Sequence, residues 1–216
     1  MITDLLIGLP AQRPGGILLT LILAVGSASG AMAIGVIYAV VCVRFPWLSL
    51  GLQGALAVMR GIPLLLLVFA MGQLTSLPLV DTGFLALLLY SLCHVGETLR
   101  GFLASYPRDL RDQSRVLGHG WVRDWMMLRL PWALTHSMDA LATHWISLLK
   151  DTGALTVLGI GELTSVATTL SLTSDVSQWE LIITEAGFIY LIVTVVLIQS
   201  LELFRRKLPP TESGTT

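Results

Sequence analysis

The stretch DQSRVLGHGWVRDWMMLRLP, from Asp112 to Pro131, decides how the rest of the chain is read. It is polar and carries Arg115, Arg123 and Arg129, yet long apolar runs flank it on both sides. A chain embedded in lipid keeps such a segment in water, where a soluble partner can reach it.

Working outward, composition supports the lipid environment. Charged residues make up 12% of the chain and hydrophobic residues 54%, which leaves too little polar surface for a soluble protein of this size. The run from Pro14 to Val43 contains no Lys, Arg, Asp or Glu. Crossing a bilayer core of about 30 Å takes about 20 apolar residues, so this run is long enough for one helix. It exceeds the apolar core of a signal peptide and has no cation near Met1, so it is expected to be an uncleaved first span. A net charge of −1, with no basic patch interleaved with aromatics outside the loop, sets nucleic-acid binding aside. Cys42 and Cys93 both lie in apolar segments and read as packing residues.

Further apolar stretches run from about Leu52 to Met71, interrupted by Arg60 and Pro63, and from about Phe84 to Ala104. From Pro131 to Val166 the pattern is mixed, which suits one tilted or broken helix. The last apolar run is about Ile182 to Phe204. The expectation is an all-α integral membrane protein of about five spans, a single transmembrane domain over 1–216.

An odd span count makes the two orientations differ strongly in loop charge. With the N-terminus outside and the C-terminus cytoplasmic, the inner side receives Arg44, Arg100, Arg108, Arg111, Arg115, Arg123, Arg129, Arg205, Arg206 and Lys207, and the outer side only Arg13. Outer loops then hold Asp81, Asp175 and Glu180, and the Asp112–Pro131 loop faces the cytoplasm.

From about Met59 to Thr169 the chain resembles the polar amino-acid uptake branch (histidine, glutamine and glutamate type) of ABC-importer permeases. RGIPLL (Arg60–Leu65) resembles that family's RGTPLL block, and GETLRG (Gly96–Gly101) its AExxRG block. SLLKDT (Ser147–Thr152) matches almost letter for letter, and GIGELT (Gly159–Thr164) extends the match. The opening loop resembles the family's EAA loop, with Gly118, Leu128, Leu130 and Pro131 at the matching distances. It departs from the pattern at Asp112-Gln113-Ser114, where Glu-Ala-Ala is usual, and at Leu128, where isoleucine is usual.

The resemblance implies a type I importer permease whose loop, at about 106–131, docks an ATPase through Asp112, Gln113, Ser114, Arg115, Gly118 and Pro131. It also implies a homologous or identical second permease, two ABC ATPase subunits and an extracytoplasmic substrate-binding protein, in a bacterial cytoplasmic membrane. This chain lacks the phosphate loop GxxxxGK[ST], so no cofactor is expected on it, and ATP and Mg would belong to the partner ATPase.

Within the loop, Pro107–Leu117 suits a short surface helix with Leu110, Ser114 and Leu117 on one face. Glycine at 118 suits a turn of positive φ, and proline at 131 the first turn of a helix. Trp121, Trp125 and Leu128 form an i, i+4, i+7 stripe expected at the membrane interface.

Charges inside apolar helices cost a few kcal/mol unless they pair, snorkel or meet water. Arg60, Glu97 and Arg100 are read as helix locks or path residues. Lys150, Asp151, Thr152 and Glu162, beside Gly153, Gly159 and Gly161, are the candidates for the translocation path. His136, Asp139 and His144 do not have the spacing of a metal site and read as polar residues facing a partner helix or water. The alternative function, an integral-membrane enzyme or assembly scaffold, needs a constellation that Glu97, His94 and His136 do not form.

Overall fold

The computed structural model describes residues 1–206; Lys207, counted above among the inner-side cations, lies outside the described residues. A short helix α1 (Ile2–Ile7) precedes α2 (Gly16–Arg44), and α3 (Pro46–Arg60) and α4 (Leu64–Leu74) follow. Next come α5 (Leu79–Ala104) and the polar α6 (Arg108–Val116). A helix begun by α7 (Trp121–Asp124) continues through a π-wound segment, Trp125–Arg129, into α8 (Leu130–Asp151). A 3-10 segment (Thr152–Leu158), α9 (Leu163–Thr173) and α10 (Val176–Arg205) complete the bundle.

Among the described residues three helices are long and apolar enough to cross a membrane by themselves: α2, α5 and the greater part of α10. The α3–α4 pair makes a fourth crossing if it is taken as one bent span. The second apolar stretch, expected over Leu52–Met71 with an interruption at Arg60 and Pro63, bends there, because α3 and α4 meet at 101°. Gly61 closes α3 by donating to the Ala57 and Val58 carbonyls. Pro63 then has no N–H to continue the ladder and biases Ile62 away from helical geometry. The mixed region after Pro131 is a helix that breaks, as its pattern suggested: α8 tightens into the 3-10 segment and restarts as α9.

The central pair is α2 against α5. Between helices in lipid there is little hydrophobic driving force, so close van der Waals packing must hold them together. A Cβ at Gly35 would sit 3.0 Å from Val95 Cγ1 and 3.3 Å from the Gly96 nitrogen. Glycine at this point lets the two backbones approach. The core lies in three layers along the bundle. Leu5, Ile17, Leu163 and Ile182 form one end, and Leu23, Val68, Leu87 and Leu155 the middle. Tyr38, Leu99, Trp125 and Leu141 form the layer next to the polar loop.

Candidate functional site

The loop is built on a helix end. α6 closes in a Schellman arrangement: the His119 N–H donates to the Ser114 carbonyl at 3.2 Å and the Gly118 N–H to the Arg115 carbonyl at 3.0 Å. Gly118 takes φ +70°, the left-handed conformation that only glycine adopts cheaply. The turn reverses the chain and lays α6 beside the start of the α7–α8 helix.

A polar chain holds that arrangement. Ser114 Oγ donates to Asp124 Oδ1 at 2.7 Å, and Asp124 Oδ2 pairs with Arg129 Nη2 at 2.5 Å. The Arg129 guanidinium lies over the rings of Trp125 (5.0 Å) and Tyr106 (5.7 Å), and Tyr106 meets Trp132 edge-on. Ser114, Asp124 and Trp125 are buried.

Ser114 is therefore turned inward and positions the loop; it does not present its hydroxyl outward. Of the expected face of Leu110, Ser114 and Leu117, Ser114 alone is buried, while Leu117 is 70% exposed. The α6 surface carries Asp112, Gln113 and Arg115, with Asp112 and Arg115 paired at 3.2 Å in the open. Exposed Val116, Leu117 and Val122 flank the turn. The aromatic stripe divides, Trp125 entering the core and Trp121 staying exposed. Pro131 follows the π-wound segment, whose wider turn accommodates a residue that cannot donate to the carbonyl behind it.

Inside the bundle, Glu97 on α5 accepts a short hydrogen bond from Tyr38 on α2 and pairs with Arg100 through Nη2 at 2.8 Å and Nε at 2.9 Å. The Tyr38–Glu97 bond joins α2 to α5, and Arg100 holds the Glu97 carboxylate from the same helix. Arg60 is exposed at the α3–α4 bend.

The four path candidates separate. Glu162 is fully buried and caps α9, accepting from the Thr164 N–H at 2.9 Å, the Ser165 N–H at 2.7 Å and Thr156 Oγ1 at 3.0 Å, with Tyr190 OH at 3.3 Å. Its carboxylate caps the first turn of the helix. Thr152 is also fully buried, and its hydroxyl donates to the Leu149 carbonyl. Lys150 is exposed and Asp151 is half-buried.

Sequence reasoning missed a cluster of rings between α5 and α8. His94 and His144 stack at 4.9 Å between α5 and α8, with Tyr90 4.7 Å from His94 and Ser91 Oγ 2.9 Å from His144 Nε2. Tyr90, His94 and Glu97 recur at i, i+4, i+7 on α5, and this spacing was the available signal. His136 instead stacks on Trp132, and among the described residues no group of three or more side chains is placed to hold a metal.

Residues 31–210 match the family described as binding-protein-dependent transport system inner membrane component. The chain belongs to that family. It is a membrane transport component, which decides against the membrane-enzyme or scaffold alternative. The permease is 28% identical to an arginine ABC transporter permease protein, ArtQ, of Haemophilus influenzae over 65% of this chain and 68% of that one. It is 25% identical to a glutamate/glutamine/aspartate/asparagine transport system permease protein of Rhodobacter capsulatus over 68% of this chain, a stretch that spans 36% of that longer relative. Its fold is that of a crystallised amino acid ABC transporter, at TM-score 0.78 and 22% identity, covering 96% of this chain and 95% of the other.

Proposed function

We propose that this permease forms the translocation path of an ATP-driven importer for a polar amino acid or a close relative such as an opine. Two permeases, identical or homologous, line the path. A binding protein delivers substrate at the outer face, and two ATPase subunits, carrying ATP and Mg, dock on the inner loops. With α8 as a fifth crossing beside α2, the bent α3–α4 pair, α5 and α10, the N-terminus lies outside and the C-terminus in the cytoplasm of a bacterial cell, a topology supported by the one-sided arginine distribution.

The observation that carries this reading is the family match across residues 31–210, which takes in the whole loop from α6 to Pro131. Asp112, Gln113 and Arg115 on the outer surface of α6 meet the ATPase, Gly118 sets the turn, and Ser114 and Pro131 hold it on α8. Closure of the ATPases on ATP moves the two loops together. Because α6 is tied to α8 through Ser114, Asp124 and Arg129, that motion passes into the bundle and turns the path outward; hydrolysis returns it. Reconstitution in vesicles with its ATPase and binding protein tests the reading. ATP-dependent accumulation of radiolabelled amino acids supports it, and ATP hydrolysis without accumulation of any amino acid refutes it.

A further inference from the structure

α8 packs against both α2 and α10, while α2 and α10 stand apart from each other. The gap is a groove of about 720 Å³, with Trp145 and Leu149 of α8 between Ala24 and Ala28 of α2 and Val196 of α10. The short alanine side chains keep it open. Val196 on its wall is 56% exposed.

Toward the end of α10 the groove adjoins a second hollow, of about 240 Å³, whose lining is charged. Trp145 and Leu197 of the groove are followed by Ile146 and Ile198 of the hollow, and beyond these lie Thr143, Asp139, Glu202 and Arg205. Arg205 pairs through Nη1 with Asp139 Oδ1 at 3.0 Å, and both side chains are exposed. Among the described residues no ion pair takes Glu202. On α10 the combined lining begins at Ile192, near the middle of the helix, and reaches Arg205, about 20 Å away at 1.5 Å per residue. One leaflet of the hydrocarbon core is about 15 Å deep, half of about 30 Å, so the apolar part covers one leaflet and the charges lie at headgroup level.

Those charges select a headgroup. Asp139 and Glu202 against Arg205 leave the hollow with an excess of negative charge, which disfavours a lipid that brings only a phosphate. A zwitterionic headgroup complements both signs. Its phosphate takes the Arg205 N–H groups not turned to Asp139, and its amine takes the carboxylates. A primary ammonium brings three N–H donors, whereas a trimethylammonium brings none.

We propose that the groove between α2 and α10 seats a phospholipid with a primary-amine headgroup, of the phosphatidylethanolamine kind. Its acyl chain lies along Ala24, Ala28 and Val196, and its headgroup sits among Asp139, Glu202 and Arg205. Such a lipid fills the space between α10 and the α2–α8 pair, and it braces α10, the least buried of the long apolar helices.

The full-length permease, purified in detergent with the subunits that accompany it, is titrated with dioleoylphosphatidylethanolamine, dioleoylphosphatidylcholine and dioleoylphosphatidylglycerol. Bound lipid is counted by native mass spectrometry. The three share their acyl chains, so differences report the headgroup. Wild type is expected to hold the ethanolamine lipid about fivefold more tightly than either of the others, the upper value for one hydrated ion pair. Asp139→Asn combined with Glu202→Gln should bring the ethanolamine and choline lipids level. Arg205→Gln should weaken both alike, because both carry a phosphate. Val196→Trp, on the exposed wall of the groove, should also weaken both while keeping the preference. Equal affinity for the ethanolamine and choline lipids in wild type overturns the headgroup site, as does a preference that survives the Asp139→Asn, Glu202→Gln change. Tighter binding of the glycerol lipid overturns it in favour of an anionic one. A benzophenone attached at Val196→Cys, in a background lacking Cys42 and Cys93, should label lipid; if it labels a second protein chain instead, the groove seats a subunit and the lipid site is refuted.

Discussion

Ser114 on α6 and Asp124 on the following helix are joined by a 2.7 Å hydrogen bond, and through Asp124 the loop reaches Arg129. The pair makes the surface helix and the first turns of the α7–α8 helix one mechanical unit. Removing the acid leaves a nearly buried guanidinium unpaired, at a cost of about 3 kcal/mol, whereas removing the hydroxyl costs only about 1–2 kcal/mol. Asp124→Ala is therefore expected to lower the melting temperature more than Ser114→Ala and to reduce ATPase co-purification more strongly. Equal and small effects of both would mean that the loop is held by something else.

Gly118 holds the turn, and its substitutions form a graded series. An L-residue in the left-handed region costs roughly 1–2 kcal/mol, so Gly118→Ala is expected to weaken ATPase association moderately. Proline fixes φ near −65° and cannot adopt the turn at all. Gly118→Pro should leave the permease in the membrane yet abolish both co-purification and substrate-stimulated hydrolysis. Normal values for both in the proline variant would show that the ATPase docks elsewhere.

Orientation is tested by cysteine labelling, and burial decides where the probes go. Ser114 is only 3% exposed and would label poorly wherever it lay, whereas Val116 is 88% exposed and Asp175 is also open. In a background lacking Cys42 and Cys93, Asp175→Cys is expected to react with an impermeant maleimide on intact cells. Val116→Cys is expected to react only after permeabilisation. The opposite pattern inverts the topology.

Charge distribution and apolar run length were enough to place α2, α5 and α10, because in a membrane those are the quantities lipid selects on. Gly118 was legible for a related reason, since a positive φ leaves a residue-type signature. The Asp124–Arg129 pair was not legible. An i, i+5 spacing places two side chains apart on an α-helix, and they meet here because the helix is π-wound between them. The inward turn of Ser114 depends on that same pair and was hidden with it. The His94–His144 stack joins helices separated by the whole loop, so no local spacing announces it. Glu162, a path candidate from its neighbouring glycines, also caps the start of α9, a role that no spacing announced.

Glu162 and Asp151 are consequently expected to behave differently when neutralised. Glu162 Oε1 and Oε2 between them accept two backbone N–H groups and a threonine hydroxyl in a fully buried site. Glu162→Ala strands those donors where no water replaces the carboxylate, at about 1–3 kcal/mol for a buried group left unsatisfied. Its melting temperature should fall together with yield and uptake, and Glu162→Gln, which keeps one acceptor oxygen, should recover part of the loss. Asp151→Asn strands no donor of its own helix and is expected to melt within a degree or two of wild type while uptake falls sharply. If the two variants lose stability equally, Asp151 is a packing residue like Glu162. If Glu162→Ala keeps its melting temperature but loses uptake, the carboxylate at the start of α9 belongs to the path after all.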